Sequence, residues 1–118
     1  MESKELAMLS AKLLTNKKAL DVVIIDIGEK SSFADYFVLA SGTTERQVAA
    51  LRDEVEDNFA KEGAIVKSIE GKQASGWILM DYGDVIVNIL TVEMRERYNI
   101  EKVWGDCATL HYEGGHNA

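Results

Sequence analysis

Few residues in this chain of 118 have the types and spacing that catalysis or metal binding demands. A nucleophilic triad needs a serine or cysteine activated by a nearby histidine base. His111 and His116 both fall after the last expected element, where no rigid scaffold holds a base, and they read as solvated tail residues. The single cysteine, Cys107, follows Asp106 and has no basic neighbour in sequence to favour its thiolate. One cysteine excludes an intramolecular disulfide, and together with two histidines it supplies a structural zinc poorly, since such sites need about four ligands. Phosphate loops are missing too: there is no Gly-Lys-Ser/Thr ending and no GxGxxG. Ser41-Gly42-Thr43-Thr44 places small residues before a helix start, a position that can hold an anion, but the same residues are ordinary capping chemistry.

Asp81 and Asp84 need closer reading. Nucleotidyl transferases hold Mg²⁺ with paired acids two residues apart, so that both project from one strand face. Here the spacing is three and Gly83 intervenes, which puts the acids on different faces or across a turn. They read as turn and strand-edge residues. No catalytic residue, metal ligand or cofactor site is expected.

The last third of the chain holds a different kind of signal. Trp77, Met80, Tyr82, Met94, Tyr98 and Trp104 all fall there. Trp, Tyr and Met are enriched at protein interfaces, although any one of them could equally fill the core. Together they are more than short final helices can cover. Met94 and Tyr98 are four apart and share a helix face. Trp77 follows a polar, glycine-containing loop, where partial exposure is expected. A docking surface is the chemistry this region predicts.

The elements that must position these residues follow from periodicity. Leu6, Leu9 and Leu13 predict an amphipathic helix over residues 3–16. The β-branched run 20–27 predicts a strand covered on both faces, and 36–40 a second strand. Thr44 with Gln47 three residues later is a capping box, Val48, Leu51, Val55 and Phe59 form one helical face, and Gly63 ends the helix. Residues 64–69 predict a third strand, reached by a β-α-β crossover. Residues 77–82 and 84–91 predict a hairpin around Gly83, and 92–104 one or two short helices. On the second hairpin strand, Asp84, Ile86, Asn88 and Leu90 share one face, and Val85, Val87 and Ile89 the other. The sum is a single α/β domain over residues 1–112, with a roughly five-stranded mixed sheet flanked by helices and a flexible tail at 113–118.

Composition bounds the partners. Hydrophobic residues make up 47%, enough for a core without metal or disulfides. The net charge is −7, with basic residues scattered among acids, which disfavours an extended nucleic-acid surface and suits a basic protein partner. The charged start and the short apolar runs predict neither signal peptide nor membrane span, hence a cytoplasmic protein.

Three ordered blocks carry a family resemblance. Ser31-Ser32-Phe33-Ala34-Asp35-Tyr36 through Thr44-Glu45-Arg46-Gln47-Val48 is the first. Gly76-Trp77-Ile78-Leu79-Met80-Asp81-Tyr82-Gly83-Asp84 through Ile89 is the second, and Arg95-Glu96-Arg97-Tyr98 through Val103-Trp104-Gly105-Asp106 the third. Their order and spacing resemble the Iojap family of ribosomal silencing factors. The resemblance implies a nucleotidyltransferase-like topology without the catalytic acids, and no enzymatic activity. It implies binding to the large ribosomal subunit through large-subunit protein fourteen, where the factor's bulk blocks subunit joining under nutrient limitation. It also implies a role in large-subunit biogenesis for some members, and homodimers when free. Carried to this chain, the partner-binding residues are Trp77, Tyr82, Met94 and Tyr98. Tyr82 stands where many relatives have leucine, Met94 precedes the third block, and Trp104 is expected to pack the last helix onto the sheet. The readings set against this one are an active nucleotidyl transferase using Asp81 and Asp84, an RNA-binding assembly factor, and a metabolic enzyme whose site is assembled from polar residues at unremarkable spacing.

Overall fold

The computed structural model describes residues 2–112, so the expected tail at 113–118, His116 included, lies outside the described residues. The first helix, α1 (Ser3–Asn16), forms where the leucine periodicity places it, opened by a capping box between Glu2 and Glu5. Its innermost face is made of smaller residues than the leucine stripe suggests. Ala7, Ser10, Ala11 and Leu14 are fully buried, while Leu6, Leu9 and Leu13 pack from the flanks. The alanines let the helix axis approach the sheet closely.

Strands β1 (Leu20–Asp26) and β2 (Tyr36–Gly42) pair antiparallel. Helix α2 (Glu45–Lys61) follows, and Thr44 caps it by accepting from the Gln47 amide at 3.0 Å. The reciprocal arm differs from the standard box: Gln47 Oε1 accepts from the Thr43 amide at 2.7 Å, one residue earlier than the cap. Val48, Leu51, Val55 and Phe59 are buried as their spacing requires, and Gly63, at φ +82°, ends the helix in the left-handed conformation glycine adopts freely. The remaining strands are β3 (Ser68–Glu70), β4 (Trp77–Asp81) and β5 (Val85–Thr91), followed by α3 (Val92–Tyr98), a 3-10 helix (Ile100–Trp104) and β6 (Ala108–His111).

The sheet order is β3-β4-β5-β2-β1-β6, six strands where about five were expected. Only β2 and β5 are parallel; the other pairs are antiparallel. The sixth strand is an edge strand, exposed along its whole length, and so carries none of the apolar alternation that marks a strand in sequence. It also corrects the reading of His111, which lies opposite Val23 in that strand and not in a tail. The third strand is shorter than predicted, starting at Ser68. The β2-α2-β3 crossover does join strands of the same direction, but β5 and β4 lie between them.

Alternation along the strands builds two cores. On one side α1 and α2 cover Val22, Ile24, Val38, Ala40, Ile78, Met80, Val85, Val87 and Ile89. On the other, Val23, Ile25, Phe37, Leu39, Ile86 and Leu90 are covered by α3, the 3-10 helix, Ile27 and Ala34 of the β1–β2 connection, and Cys107. The two faces differ in cover: two long helices, α1 and α2, pack on the first, and the short α3 and 3-10 helix on the second, where Trp77 and Met94 are half-buried. No helix among the described residues is long and apolar enough to cross a membrane.

Candidate protein-docking surface

The thinly covered face brings three of the four expected contact residues together. Trp77 opens β4 opposite Leu90, with Leu79 and Asn88 paired two residues along. The chain passes from β5 directly into α3, with Thr91 capping that helix by accepting from the Met94 amide at 3.2 Å. This places the first turn of α3 over the Trp77 end of the hairpin. Gly76 is needed there: its φ is +75°, and a Cβ would come within 3.1 Å of both Met94 and Thr91. Trp77 and Tyr98 lie with ring centroids 5.3 Å apart at 43°. Trp77 and Met94 are half-buried, and Tyr98 is 51% exposed. An aromatic pair with a methionine beside it, on a partly covered sheet face, can anchor a partner without chemistry.

Trp77 is also tethered from below. Its indole Nε1 donates to Asn88 Oδ1 at 2.9 Å, and Asn88 is fully buried. The Asn88 amide nitrogen has no partner among the described residues, a situation that costs about 1–3 kcal/mol for a buried donor. The reading from sequence missed Asn88 as a functional residue. The signal was available, because Asn88 is the one polar residue inside the run Val85–Leu90.

Tyr82 is not part of this cluster. It lies on the α1–α2 side, where its ring packs on Phe59 at 4.6 Å. Alternation explains the separation: Trp77 and Tyr82 are an odd number of residues apart, so they leave the hairpin on opposite faces. Burial, with the nearby Glu56 carboxylate second, pushes the Tyr82 hydroxyl up to about 12. That hydroxyl has no hydrogen-bond partner among the described residues.

The remaining candidates have structural employment. Asp81 Oδ1 accepts from the Gly83 amide at 2.7 Å, closing the hairpin turn. The Asp84 carbonyl accepts from the amides of Asp35 and Tyr36 at 2.8 and 3.1 Å, joining the turn to the start of β2. Met80 is fully buried, and Trp104 packs on Phe37 at 6.1 Å and Phe33 at 6.2 Å, holding the 3-10 helix to the sheet. Ser41 accepts from Arg95 instead of facing an anion. Lys30 and Asp106 pair at 2.6 Å, which raises the Lys30 amine and lowers the Asp106 carboxyl through their shared hydrogen bond.

Arg95 is the second residue the reading from sequence left without a role. It is 8% exposed and points inward from α3. Its guanidinium donates to both Glu101 oxygens at 3.0 and 3.2 Å, to Ser41 Oγ at 3.1 Å and to the Asp21 carbonyl at 2.6 Å. Asp21 sits at φ +47°, where the β1 register shifts between Leu20 and Val23. Arg95 thus ties α3 to β1, β2 and the 3-10 helix, and so fixes the platform that presents Met94 and Tyr98. The open cleft beside it, roughly 520 Å³, is polar and includes Asp21, Glu96 and Glu101.

The comparisons with known proteins agree on one lineage. Residues 1–117 match the family model described as ribosomal silencing factor during starvation. The chain is 36% identical over 114 residues to the ribosomal silencing factor of Halalkalibacterium halodurans, covering 97% of each. It is 32% identical over 96 residues to the mouse protein named mitochondrial assembly of ribosomal large subunit protein 1, spanning 78% of this chain and 42% of that one. A crystal structure of a Chromobacterium violaceum protein matches with a TM-score of 0.86 at 30% identity, covering 98% of this chain and 96% of that one.

Proposed function

Because the chain belongs to the ribosomal silencing factor family and its role is ribosome-associated, we propose that it binds the large subunit through large-subunit protein fourteen and blocks subunit joining by occlusion. The observation that carries the choice of surface is the Trp77–Tyr98 pair, with Met94 beside it, on the sheet face where α3 and the 3-10 helix pack. Ribosomal proteins are basic, and exposed Glu93 and Glu96 on α3 suit such a partner. An interface of about 800 Å² per partner suffices, since occlusion needs no catalysis and the proposed role is non-enzymatic. Tyr82 is left out of this patch because it packs on Phe59. The place of action in this reading is the cytoplasm, and the free chain forms a homodimer.

A second reading, large-subunit assembly, is favoured by the name of the mouse relative. One experiment separates the two. Separated ribosomal subunits are mixed with the protein, and joining is followed on a density gradient. Silencing predicts that the joined-ribosome peak falls as protein is added. Unhindered joining at saturating protein removes the silencing reading. Unfinished large subunits in cells lacking the protein then support assembly.

A further inference from the structure

Asn88 is a costly residue for its place. It is fully buried on β5, with Leu39 of β2 and Leu79 of β4 as its register partners. Ile86 and Leu90, both buried, flank it on the same face. A leucine there would complete an apolar strand, and exchanging both partners of a buried hydrogen bond for apolar groups of the same shape can be nearly neutral or stabilising, whereas removing one leaves the other unsatisfied. The amide instead leaves its nitrogen without a partner among the described residues. Its one side-chain hydrogen bond among those residues is from Trp77 Nε1, reached diagonally across the β4–β5 pair. The indole N–H can only donate, so the amide oxygen must face it and the orientation of both groups is fixed.

We propose that Asn88 is a positioning residue for docking: it turns the N–H edge of Trp77 inward and leaves the hydrocarbon of the indole for Tyr98 and the partner. This rests on the docking reading above. It also sets the partner's chemistry at that point. The partner meets Trp77 with aliphatic groups or with an arginine or lysine over the ring, and not with a hydrogen-bond acceptor. The same preference follows from the acidic charge of the chain.

The test measures affinity for purified large ribosomal subunits and unfolding midpoints across Asn88→Leu, Trp77→Phe, the double variant and Trp77→Ala. Asn88→Leu is expected to fold and to bind about tenfold more weakly, or about 1.4 kcal/mol, with its unfolding midpoint below that of the double variant, in which no indole N–H is left unpaired. The double variant is expected to bind no more weakly than Trp77→Phe alone, because without an indole N–H the amide has nothing to orient. If Trp77→Ala loses binding while folded Asn88→Leu keeps parental affinity, the positioning role is overturned and the docking surface stands. If Trp77→Ala binds as the parent does, the docking surface falls and the inference with it. Should Asn88→Leu fail to fold, the parent decides by NMR. Protection of the Trp77 indole N–H from solvent exchange supports the hydrogen bond, and rapid exchange overturns it.

Discussion

At the scale of single residues, Trp77 and Tyr82 separate stability from docking. Both are aromatic hairpin residues, yet one faces the thin cover of α3 and the other fills the core against Phe59. Trp77→Ala is expected to cost about 2 kcal/mol of affinity for large subunits if the indole is a hot spot, with the fold retained. Tyr82→Ala is expected to cost about 2 kcal/mol of folding stability, with affinity per folded molecule unchanged. Titration against purified subunits beside denaturant unfolding reads both. Tyr82 adds a pH signature. Its hydroxyl ionises near 10 in the unfolded chain and near 12 in the fold. A raised pKa favours the neutral form in the folded state, so its contribution is complete below pH 10 and is lost as pH rises toward 12. Unfolding measured from neutral pH to about 12 is expected to fall less steeply for Tyr82→Phe than for the parent. Equal slopes would remove Tyr82 as the source.

At the scale of elements, the seven-residue helix α3 is too short to be stable by itself and depends on what holds it down. Arg95 does so from within, through Glu101, Ser41 and the Asp21 carbonyl. Arg95→Ala leaves those acceptors without their donor and opens space under the helix. A loss of about 2–3 kcal/mol is expected, below the cost of breaking a fully buried ion pair because Glu101 remains 38% exposed. Amide exchange is the informative readout. Protection in α3 and the 3-10 helix is expected to drop further than in α2, whose anchors, Val48, Leu51, Val55 and Phe59, are untouched. A uniform loss across both helices would contradict local anchoring. Affinity for the large subunit is expected to fall as well, since Met94 and Tyr98 ride on this helix.

At the scale of the molecule, a chain of net charge −7 with an apolar patch should bind a basic partner in two separable ways. Charge sets how fast the partners meet, and the patch sets how long they stay. Raising salt is expected to slow association with large subunits while leaving dissociation nearly unchanged, and Trp77→Ala to do the reverse. Stopped-flow or surface-based kinetics at two salt concentrations distinguishes them, and a dissociation rate that climbs steeply with salt would argue against an apolar anchor. The sequence by itself determined the class of the fold, both long helices and the hairpin, because these depend on local periodicity and on residue types at short range. It also held the means to part Trp77 from Tyr82, since strand alternation alone puts them on opposite faces. The tertiary structure alone decided the rest. The exposed edge strand β6 carries no apolar pattern of its own, and only its pairing with β1 makes it a strand. The Arg95 anchor joins positions as far apart as Asp21 and Glu101. The Trp77–Tyr98 pair on the proposed docking face exists because β5 runs straight into α3 and folds it back over β4, a placement fixed by the packing of the whole sheet.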